Sequence, residues 1–246
     1  KAGCLLIVKN YTGDRLNFGL AAERARAFGL RVSMVIVDDD VALPDLPQAR
    51  GVAGTLFVHK IAGALAEQGA DLDTITAAAQ GVIRGAISIG MSLDTCTVPG
   101  SPKEDRIAQG KAELGLGIHG EAGVEQVDFA GARAAIRMVA DKLGPHMGKG
   151  DHVALLDKLG GTTPLEMSVL SEELAKSTIG GRVKWIVGPS AMMTSLDMHG
   201  FSVSLLPVTP DQVAALASHV ALHAWPGLNA LGQVAILPLP DGLSPI

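Results

Sequence analysis

Charged and aromatic residues are scarce in this chain of 246 residues: 18% are Asp, Glu, Lys or Arg, and only 3% are Phe, Trp or Tyr. The charge balance is slightly acidic, with 20 basic and 25 acidic residues and a formal net charge of −5. Binding to nucleic-acid phosphates needs a basic excess, so we expect no nucleic-acid partner. Hydrophobic residues make up 48% of the chain, which excludes wholesale disorder.

Cysteine is equally rare. Cys4 and Cys96 lie far apart and form no CxxC pair, so the sequence indicates neither a thiolate zinc motif nor a disulfide framework. We interpret them as buried thiols in a reducing cytosol. The longest stretch without a charged side chain, residues 212–240, contains prolines, histidines and amides that would interrupt a membrane helix. We therefore expect a cytoplasmic protein without a membrane span.

The first part of the chain has the pattern of a parallel sheet with helices. Residues 3–8 and 30–37 are short apolar runs on either side of a helical stretch, which is typical of a βαβ unit. Two further helices are predicted over 52–68 and from Asp71 to about residue 87. Two strands cannot cover three amphipathic helices, so either strands from later in the chain join this sheet or N-terminal strands are missing, and the second alternative is favoured. We therefore predict an α/β domain over residues 1–88, with a parallel or mixed sheet that lacks its first strands.

The pattern changes after residue 88, where strands and helices follow without regular βαβ order. Two helices begin with good capping chemistry, at Thr163-Pro164-Leu165-Glu166 and at Thr209-Pro210-Asp211-Gln212. A third helix is predicted from a cap at Asp128. Strands are predicted over 87–98, 113–119, 152–157, 182–187, 201–208 and 234–237. We predict a second domain over residues 89–246, an α+β fold with a mixed sheet.

The first candidate site is the segment Lys9-Asn10-Tyr11-Thr12-Gly13-Asp14, which joins a strand to a helix. Ligands of open α/β sheets bind outside the carboxyl ends of the strands. Gly13 lets the backbone approach a ligand closely, Lys9 offers an ammonium group and Asp14 a carboxylate. The structural alternative makes Asp14 a helix cap and Lys9 a solvated charge. The segment is not a P-loop, because GxxxxGK[ST] is absent.

The second candidate is His119, which has glycine on either side of the pair Ile118-His119 and follows a predicted strand. Small neighbours leave the imidazole accessible. Neutral imidazole is available near pH 7, because its ordinary pKa is about 6.5, and it can attack a carbonyl carbon or move protons. The structural alternative is a histidine bonded to a backbone carbonyl.

A pair of histidines and a triplet of aspartates are interpreted as structural rather than functional. His219 and His223 are four residues apart, but no third ligand is near them in sequence, and we predict no metal site. The acidic triplet Asp38-Asp39-Asp40 would suit a cation or a partner. A solvated strand end with a helix-capping role is favoured instead.

At KNYTGDxxNF (Lys9–Phe18) and GIHGE (Gly117–Glu121) the chain resembles the dihydroxyacetone kinase family, in particular its substrate-binding K subunit or domain. Further matching segments are VDDDVA (37–42), RGVAGTLFVHKIAG (50–63), SLDTCTVPGS (92–101), LLDKLGGTTPLE (155–166) and MTSLDMHGFSVSLL (193–206). These segments run along the whole chain in the expected order. The resemblance implies a phosphotransferase of glycerol metabolism that works in the cytoplasm as a homodimer.

The resemblance also implies roles for the candidate residues. His119 would hold dihydroxyacetone covalently as a hemiaminal between a ring nitrogen and the carbonyl carbon. Asp14 would be the general base that activates the terminal hydroxyl, and Lys9 would contact the substrate. No cofactor is expected on this chain. ATP or ADP with Mg²⁺ is expected on an all-helical partner subunit or domain.

Two departures from the family pattern leave alternatives open. The family's GGGSGHEP segment, with a second catalytic histidine, would lie upstream of Lys1, so the site in this chain is expected to be incomplete. The family's HGEPG reads HGEAG here, with Ala122 in place of proline. One alternative is a regulatory relative that binds dihydroxyacetone without catalysis. Another is a kinase for a different short ketose, such as erythrulose.

Overall fold

The computed structural model describes residues 2–42, 49–117 and 123–232, and these contain nine strands and six α-helices. The strands are Cys4–Lys9 (β1), Val32–Val37 (β2), Ile87–Ser92 (β3), Lys111–Leu114 (β4), Glu125–Asp128 (β5), His152–Lys158 (β6), Val183–Ser190 (β7), Gly200–Pro207 (β8) and Leu228–Ala230 (β9). The helices are Thr12–Ala27 (α1), Thr55–Glu67 (α2), Leu72–Gly85 (α3), Ala132–Leu143 (α4), Pro164–Lys176 (α5) and Pro210–Ala217 (α6). None of these helices is both long enough and apolar enough to cross a membrane.

The first two strands form a small parallel sheet joined by α1. Cys4 pairs with Val32 and Lys9 with Val37, so both strands end at the same edge. Parallel strands need a helical crossover, and the apolar runs on either side of the α1 sequence supply the two strands. The predicted βαβ unit is therefore confirmed.

The other seven strands form a mixed sheet in the order β5-β4-β3-β8-β6-β7-β9. β6 pairs in parallel with β7 and antiparallel with β8, and β3 pairs antiparallel with both β8 and β4. The central strands β6 and β8 are buried along almost their whole length. Burial on both faces explains the apolar run 153–156 of β6, whereas β8 also buries two serines, Ser202 and Ser204. A mixed α/β architecture with a parallel unit and a mixed sheet agrees with the prediction.

Helices cover both faces of the seven-stranded sheet. Leu156 and Leu205 belong to the core shared with α4 and α5, whereas their neighbours Leu155 and Leu206 belong to the core shared with α2, α3 and α6. Adjacent residues of a strand point to opposite faces, so one strand serves both layers. The division into domains at residue 88 stays a prediction. β6, β7 and β8, all from the second predicted domain, pack against α2 and α3. Part of the apolar surface that two strands could not cover is therefore covered by strands from later in the chain.

Several predicted boundaries were wrong. Asp128 does not cap a helix: it ends β5, opposite Lys111, and α4 begins only after Gly131. The strand predicted over 87–98 ends at Ser92, and the one predicted over 113–119 ends at Leu114, because Gly115 has a positive φ of 73°. β5 and β9 were not predicted. The strand predicted over 234–237 lies outside the described residues.

The cysteine prediction was also partly wrong. Cys4 is exposed and Cys96 is half-buried, and neither forms a disulfide. Cys4 is the first residue of β1, where the strand has not yet entered the core. The exposure of Cys4 therefore contradicts the expectation of two buried cysteines.

Both predicted capping boxes are confirmed. The Glu166 amide donates to the Thr163 hydroxyl at 3.3 Å, and the Thr163 amide donates to the Glu166 carboxylate at 2.8 Å. Thr209 and Gln212 make the same reciprocal pair at the start of α6. These bonds satisfy backbone donors that an uncapped helix would leave unpaired.

We expect Thr163→Ala to lower the free energy of unfolding by about 1 kcal/mol, because the helix loses its cap. Thr163→Ser keeps the hydroxyl and is the matched control, with stability close to that of the parent. Urea unfolding measures both. An alanine variant as stable as the serine variant would show that the cap does not stabilise α5.

Candidate functional site

The loop between β1 and α1 carries the first candidate residues. β1 ends at Lys9, α1 begins at Thr12, and Asp14 lies in the first turn of the helix. The N-cap residue is Tyr11, so the alternative in which Asp14 caps the helix is wrong. The half-buried Asp14 carboxylate lies where the helix dipole is positive and backbone N–H groups lack helical partners.

A buried asparagine fixes this loop. The Asn10 side-chain amide donates to the carbonyl of Ala49 at 2.6 Å, and the Asn10 backbone N–H donates to the carbonyl of Val37 at 2.9 Å. Gly51 packs against the same place, where an added Cβ would lie 2.6 Å from the Val37 oxygen and 2.9 Å from the Lys9 Cβ. The segment leading into α2 can thus approach the end of β1 only because residue 51 has no side chain.

The acidic triplet is a buried support rather than a solvated strand end. Asp39 and Asp40 are only 2% and 5% exposed. Asp39 accepts the N–H groups of Val52 at 2.7 Å and Gly54 at 2.8 Å, and also the Ser88 hydroxyl. Burial raises the pKa of the Asp39 carboxyl, and these hydrogen bonds oppose the shift. The interpretation of the triplet as solvated was therefore wrong for these two residues.

Arg50 connects the triplet with the segment that precedes His119. Its guanidinium donates through Nε to Asp40 at 2.7 Å and through Nη2 to the carbonyl of Gly115 at 2.6 Å. Gly115 also needs its positive φ, and an added Cβ there would lie 2.4 Å from the Cβ of Ala42. The backbone after β4 is thus held by a buried ion pair and by a close approach that only glycine allows.

A second buried carboxylate holds the other side of the same segment. Glu113 pairs with Arg106 at 2.9 Å and accepts the backbone N–H of Gly123 at 3.2 Å. His119 itself, within 118–122, lies outside the described residues. The chain is therefore anchored immediately before and after the segment that contains the predicted nucleophile.

A cavity of about 130 Å³ lies next to Gly117, between the start of α2 and the segment 193–198. Its apolar wall includes Leu116, Met198 and Phe201, and its polar groups include Asp157, Thr194 and Ser202. This mixture of an apolar wall with a few polar groups is typical of small-molecule sites.

Asp157 is the one acidic side chain among the described residues that line this cavity. It is 1% exposed, and its Oδ1 accepts the backbone N–H groups of Met192 and Met193, both at 2.9 Å. Burial raises the pKa of its carboxyl to about 7, although these hydrogen bonds act in the opposite direction. Asp157 is not among the residues predicted from the sequence. The available signal was an acid within the apolar run of a buried strand.

Two glycines set the backbone of the cavity wall. An added Cβ on Gly160 would lie 2.3 Å from the carbonyl oxygen of Ser195, and Gly161 donates to the carbonyl of Met198 at 2.7 Å. Asp197, within this wall, has a positive φ of 56°. Lys103 donates to the Asp197 carboxylate at 3.2 Å. The wall is therefore held by backbone contacts rather than by packing of its side chains alone.

The loop that follows Lys9 and the cavity next to Gly117 share one wall, which is formed by residues 51–53. Gly51 contacts Lys9, and the following residues Val52 and Ala53 line the cavity. Lys9 ends β1 and Asp14 lies in the first turn of α1, so the two residues lie at the two ends of this loop. Their predicted association with His119 stays a prediction.

The remaining histidines give no metal centre in the part of the chain that the structure describes. There, no three His, Cys, Asp or Glu side chains cluster in a way that could hold an ion. Burial, and then the nearby charge of Lys9, lowers the pKa of His59. The expectation of no metal on this chain stays a prediction.

The chain is similar to one family of known proteins over most of its length. The family described as Dak1 domain matches residues 1–224. The dihydroxyacetone kinase of Citrobacter freundii is 43% identical over 228 residues, which are 92% of this chain and 41% of that protein. The dihydroxyacetone-binding subunit DhaK of a PTS-dependent dihydroxyacetone kinase from Listeria innocua is 39% identical over 236 residues, 91% of this chain and 71% of the subunit.

Two solved structures have the same fold. The C. freundii kinase in complex with AMP-PNP and Mg²⁺ superposes with a TM-score of 0.94 and 41% identity, over 99% of this chain and 45% of that one. The dihydroxyacetone kinase operon co-activator Dha-DhaQ superposes with a TM-score of 0.84 and 26% identity, over 92% of this chain and 73% of that one. The chain thus spans less than half of the full-length C. freundii kinase.

We expect Asp157→Asn to become more stable than the parent as the pH rises. Between the ordinary pKa of 3.8 and the raised value of about 7, unfolding releases a proton from Asp157, so the parent loses stability through this window. The asparagine variant avoids this loss, which amounts to about 4 kcal/mol at about 1.36 kcal/mol per pKa unit.

Urea unfolding at several pH values between 4 and 8 measures this difference. Asp141→Asn makes the same substitution at an exposed aspartate on α4 and is the control. A stability difference for Asp157→Asn that depends on pH no more than that of the control would contradict the raised pKa.

Proposed function

This chain belongs to the Dak1 domain family, and from that membership we propose that it is the substrate-binding part of a dihydroxyacetone kinase. The observation that carries the proposal is the 39% identity with a dihydroxyacetone-binding subunit over 71% of that subunit. The loop from Lys9 to Asp14 supports it, because this loop lies at the carboxyl edge of the parallel strands, where ligands of such sheets bind.

In the proposed reaction His119 captures the ketose. A ring nitrogen bonds to the carbonyl carbon, and the π electrons of the carbonyl move to its oxygen. That oxygen takes up a proton and the ring releases one from its other nitrogen, so the product is a neutral hemiaminal. Glycerol has no carbonyl group and cannot be captured in this way. Capture also holds the terminal hydroxyl in place for the second step.

Asp14 then acts as the general base. It accepts the proton of the terminal hydroxyl while that oxygen attacks the terminal phosphorus of ATP, the donor in this step, and ADP leaves. The Lys9 ammonium group, on the same loop, binds a substrate oxygen. Capture comes before transfer, because phosphoryl transfer depends mainly on positioning and on charge neutralisation, and capture positions the hydroxyl.

The nucleotide is proposed to come from a partner subunit or domain. The sequence contains no P-loop motif, and the similar C. freundii kinase, which is more than twice as long, was solved with AMP-PNP and Mg²⁺. We therefore assign ATP or ADP with Mg²⁺ to an all-helical partner. A cytoplasmic homodimer completes the proposal.

A regulatory role is the second candidate, because the fold is shared with an operon co-activator. That protein is 26% identical, whereas the kinases are about 40% identical, and this chain has both Lys9 and Asp14. Ketose binding without phosphoryl transfer would favour the regulatory role. A kinase for erythrulose differs from the main proposal only in the size of its substrate.

We expect His119→Ala to abolish covalent capture. Dihydroxyacetone labelled with carbon-13 at the carbonyl carbon should give, with the parent protein, a tetrahedral-carbon NMR signal that is distinct from that of the free hydrate and that is lost with the variant. His223→Ala, which removes an exposed histidine, is the matched control. A signal that persists in His119→Ala would contradict the assignment of the nucleophile.

We expect Asp14→Asn to lower kcat by roughly 10²–10⁴-fold while capture is retained, since only the base is lost. Phosphorylation is measured with the full-length protein, its helical partner and ATP–Mg²⁺. Asp73→Asn changes an acid in the first turn of another helix, α3, and should leave kcat unchanged. Equal kcat values for the two variants would exclude Asp14 as the base.

A further inference from the structure

A groove lies between α4 and the last turn of α5, on one face of the seven-stranded sheet. Its volume is about 370 Å³. α4 contributes Arg133, Ile136 and Arg137, and the end of α5 with the residues after it contributes Glu173, Lys176 and Thr178. Ile136 is only 1% exposed and belongs to the core beneath the two helices. The groove therefore has charged walls above an apolar floor.

The groove is positively charged, although the protein as a whole is acidic. Among the described residues that line it, three are cations and one, Glu173, is a carboxylate, whereas the chain has a formal net charge of −5. An excess of two positive charges in one groove raises the local concentration of anions. The charge of the groove thus favours a negatively charged ligand.

Two of the three cations are held in place by carboxylates. Arg133 donates through Nε and Nη2 to the two carboxylate oxygens of Glu173, at 3.1 and 3.3 Å. Lys176 pairs with Glu172, one turn earlier on α5, at 2.5 Å. Guanidinium and ammonium groups have five and three N–H donors, so both residues keep donors that these contacts do not use. Both side chains are therefore oriented without a ligand.

The third cation, Arg137, has no such partner. It is exposed and forms no ion pair with any described residue, including Asp141 one turn further along α4. Arg133 lies one turn before it, and like charges four residues apart on a helix repel one another. An anion bound between them would remove this repulsion. Thr178, on the opposite wall, is exposed and offers a hydroxyl group to the same anion.

The donor set and the volume indicate the class of ligand. A guanidinium group presents its N–H groups in a planar fork that matches a phosphate, and an ammonium group adds a point charge. A phosphate monoester carries between about 1.5 and 2 negative charges at pH 7, close to the positive excess of the groove. Since a cavity of about 150 Å³ accommodates benzene, about 370 Å³ leaves room for a short organic chain over Ile136.

We propose that this groove binds a phosphate monoester, with Arg137 and Lys176 as the phosphate-binding residues and Ile136 in contact with the organic part. The proposal goes beyond the proposed function, because the groove lies away from the proposed site of reaction. Leu159, just before α5, lines the cavity next to Gly117. The 13 residues of α5 place its two ends about 18 Å apart, at 1.5 Å per residue.

The first test removes the unpaired cation. Calorimetry measures the Kd of glycerol 3-phosphate with the full-length protein, at constant ionic strength and with dihydroxyacetone added to occupy the proposed catalytic site. Arg137→Gln should raise this Kd roughly 10–100-fold, because a charge-assisted hydrogen bond is lost. Arg137→Lys keeps the charge without the fork and should give an intermediate value. Arg24→Gln, at the exposed end of α1, is the matched control and should leave the Kd unchanged.

The second test distinguishes an ester from a simple ion. The same titration is made with inorganic phosphate, with sulfate and with glycerol 3-phosphate. We expect the ester to bind most tightly, because only the ester covers the apolar floor at Ile136. Equal Kd values for the three compounds would mean that the groove takes an adventitious ion only, and they would overturn the proposal.

The groove and the proposed kinase reaction fail in different ways. With the partner and ATP–Mg²⁺ present, Arg137→Gln should leave kcat for dihydroxyacetone unchanged, and a loss as large as that in Asp14→Asn would overturn the separation of the two sites. Equal Kd values in Arg137→Gln and Arg24→Gln would overturn the groove, whatever the kinase result. If Arg137→Gln does not fold, Lys176→Gln decides. Absence of phosphorylation in the parent would instead overturn the proposed function and leave the Kd comparison intact.

Discussion

The contact on which the site depends is the buried ion pair between Arg50 and Asp40, extended to the carbonyl of Gly115. Removal of two charges from water costs several kcal/mol, so such a pair is weak evidence for stability. Its geometry is more informative. Asp40 follows the small parallel sheet, Arg50 precedes α2, and Gly115 follows β4 in the mixed sheet. One guanidinium therefore fixes three chain segments that meet beside the cavity.

The neighbouring contacts support the same place. Asp39 holds the residues that lead into α2, Gly51 allows them to approach β1, and Glu113 anchors the backbone at Gly123. The two carboxylates accept backbone N–H groups that would otherwise lack a partner within the protein. Buried carboxylates in this protein thus replace regular secondary structure where the chain must be irregular. Hydrogen bonds to these groups, rather than aromatic side chains, connect the loops around the site, in agreement with the few aromatic residues.

Local chemistry was sufficient to predict much of the fold. The βαβ unit follows from two apolar runs around a helix, and both capping boxes follow from residues only three apart. β5 and β9 were missed because they are short and largely exposed, so their sequences have no apolar pattern. The contact of Arg50 with Gly115 joins residues 65 apart and has no local signal. Asp157 had such a signal, but its partners belong to a different segment of the chain. Lys9, Asp14 and His119 were selected by motif, and only the first two lie within the described residues.

The charges on the two sides of the shared wall differ in sign. Lys9 lies at the end of β1 and contacts Gly51, whereas the cavity lined by Val52 and Ala53 contains Asp157 and, among its described lining residues, no cation. The Lys9 ammonium group and the Asp157 carboxyl are thus separated by residues 51–53, and a negatively charged group is favoured on the Lys9 side of this wall only.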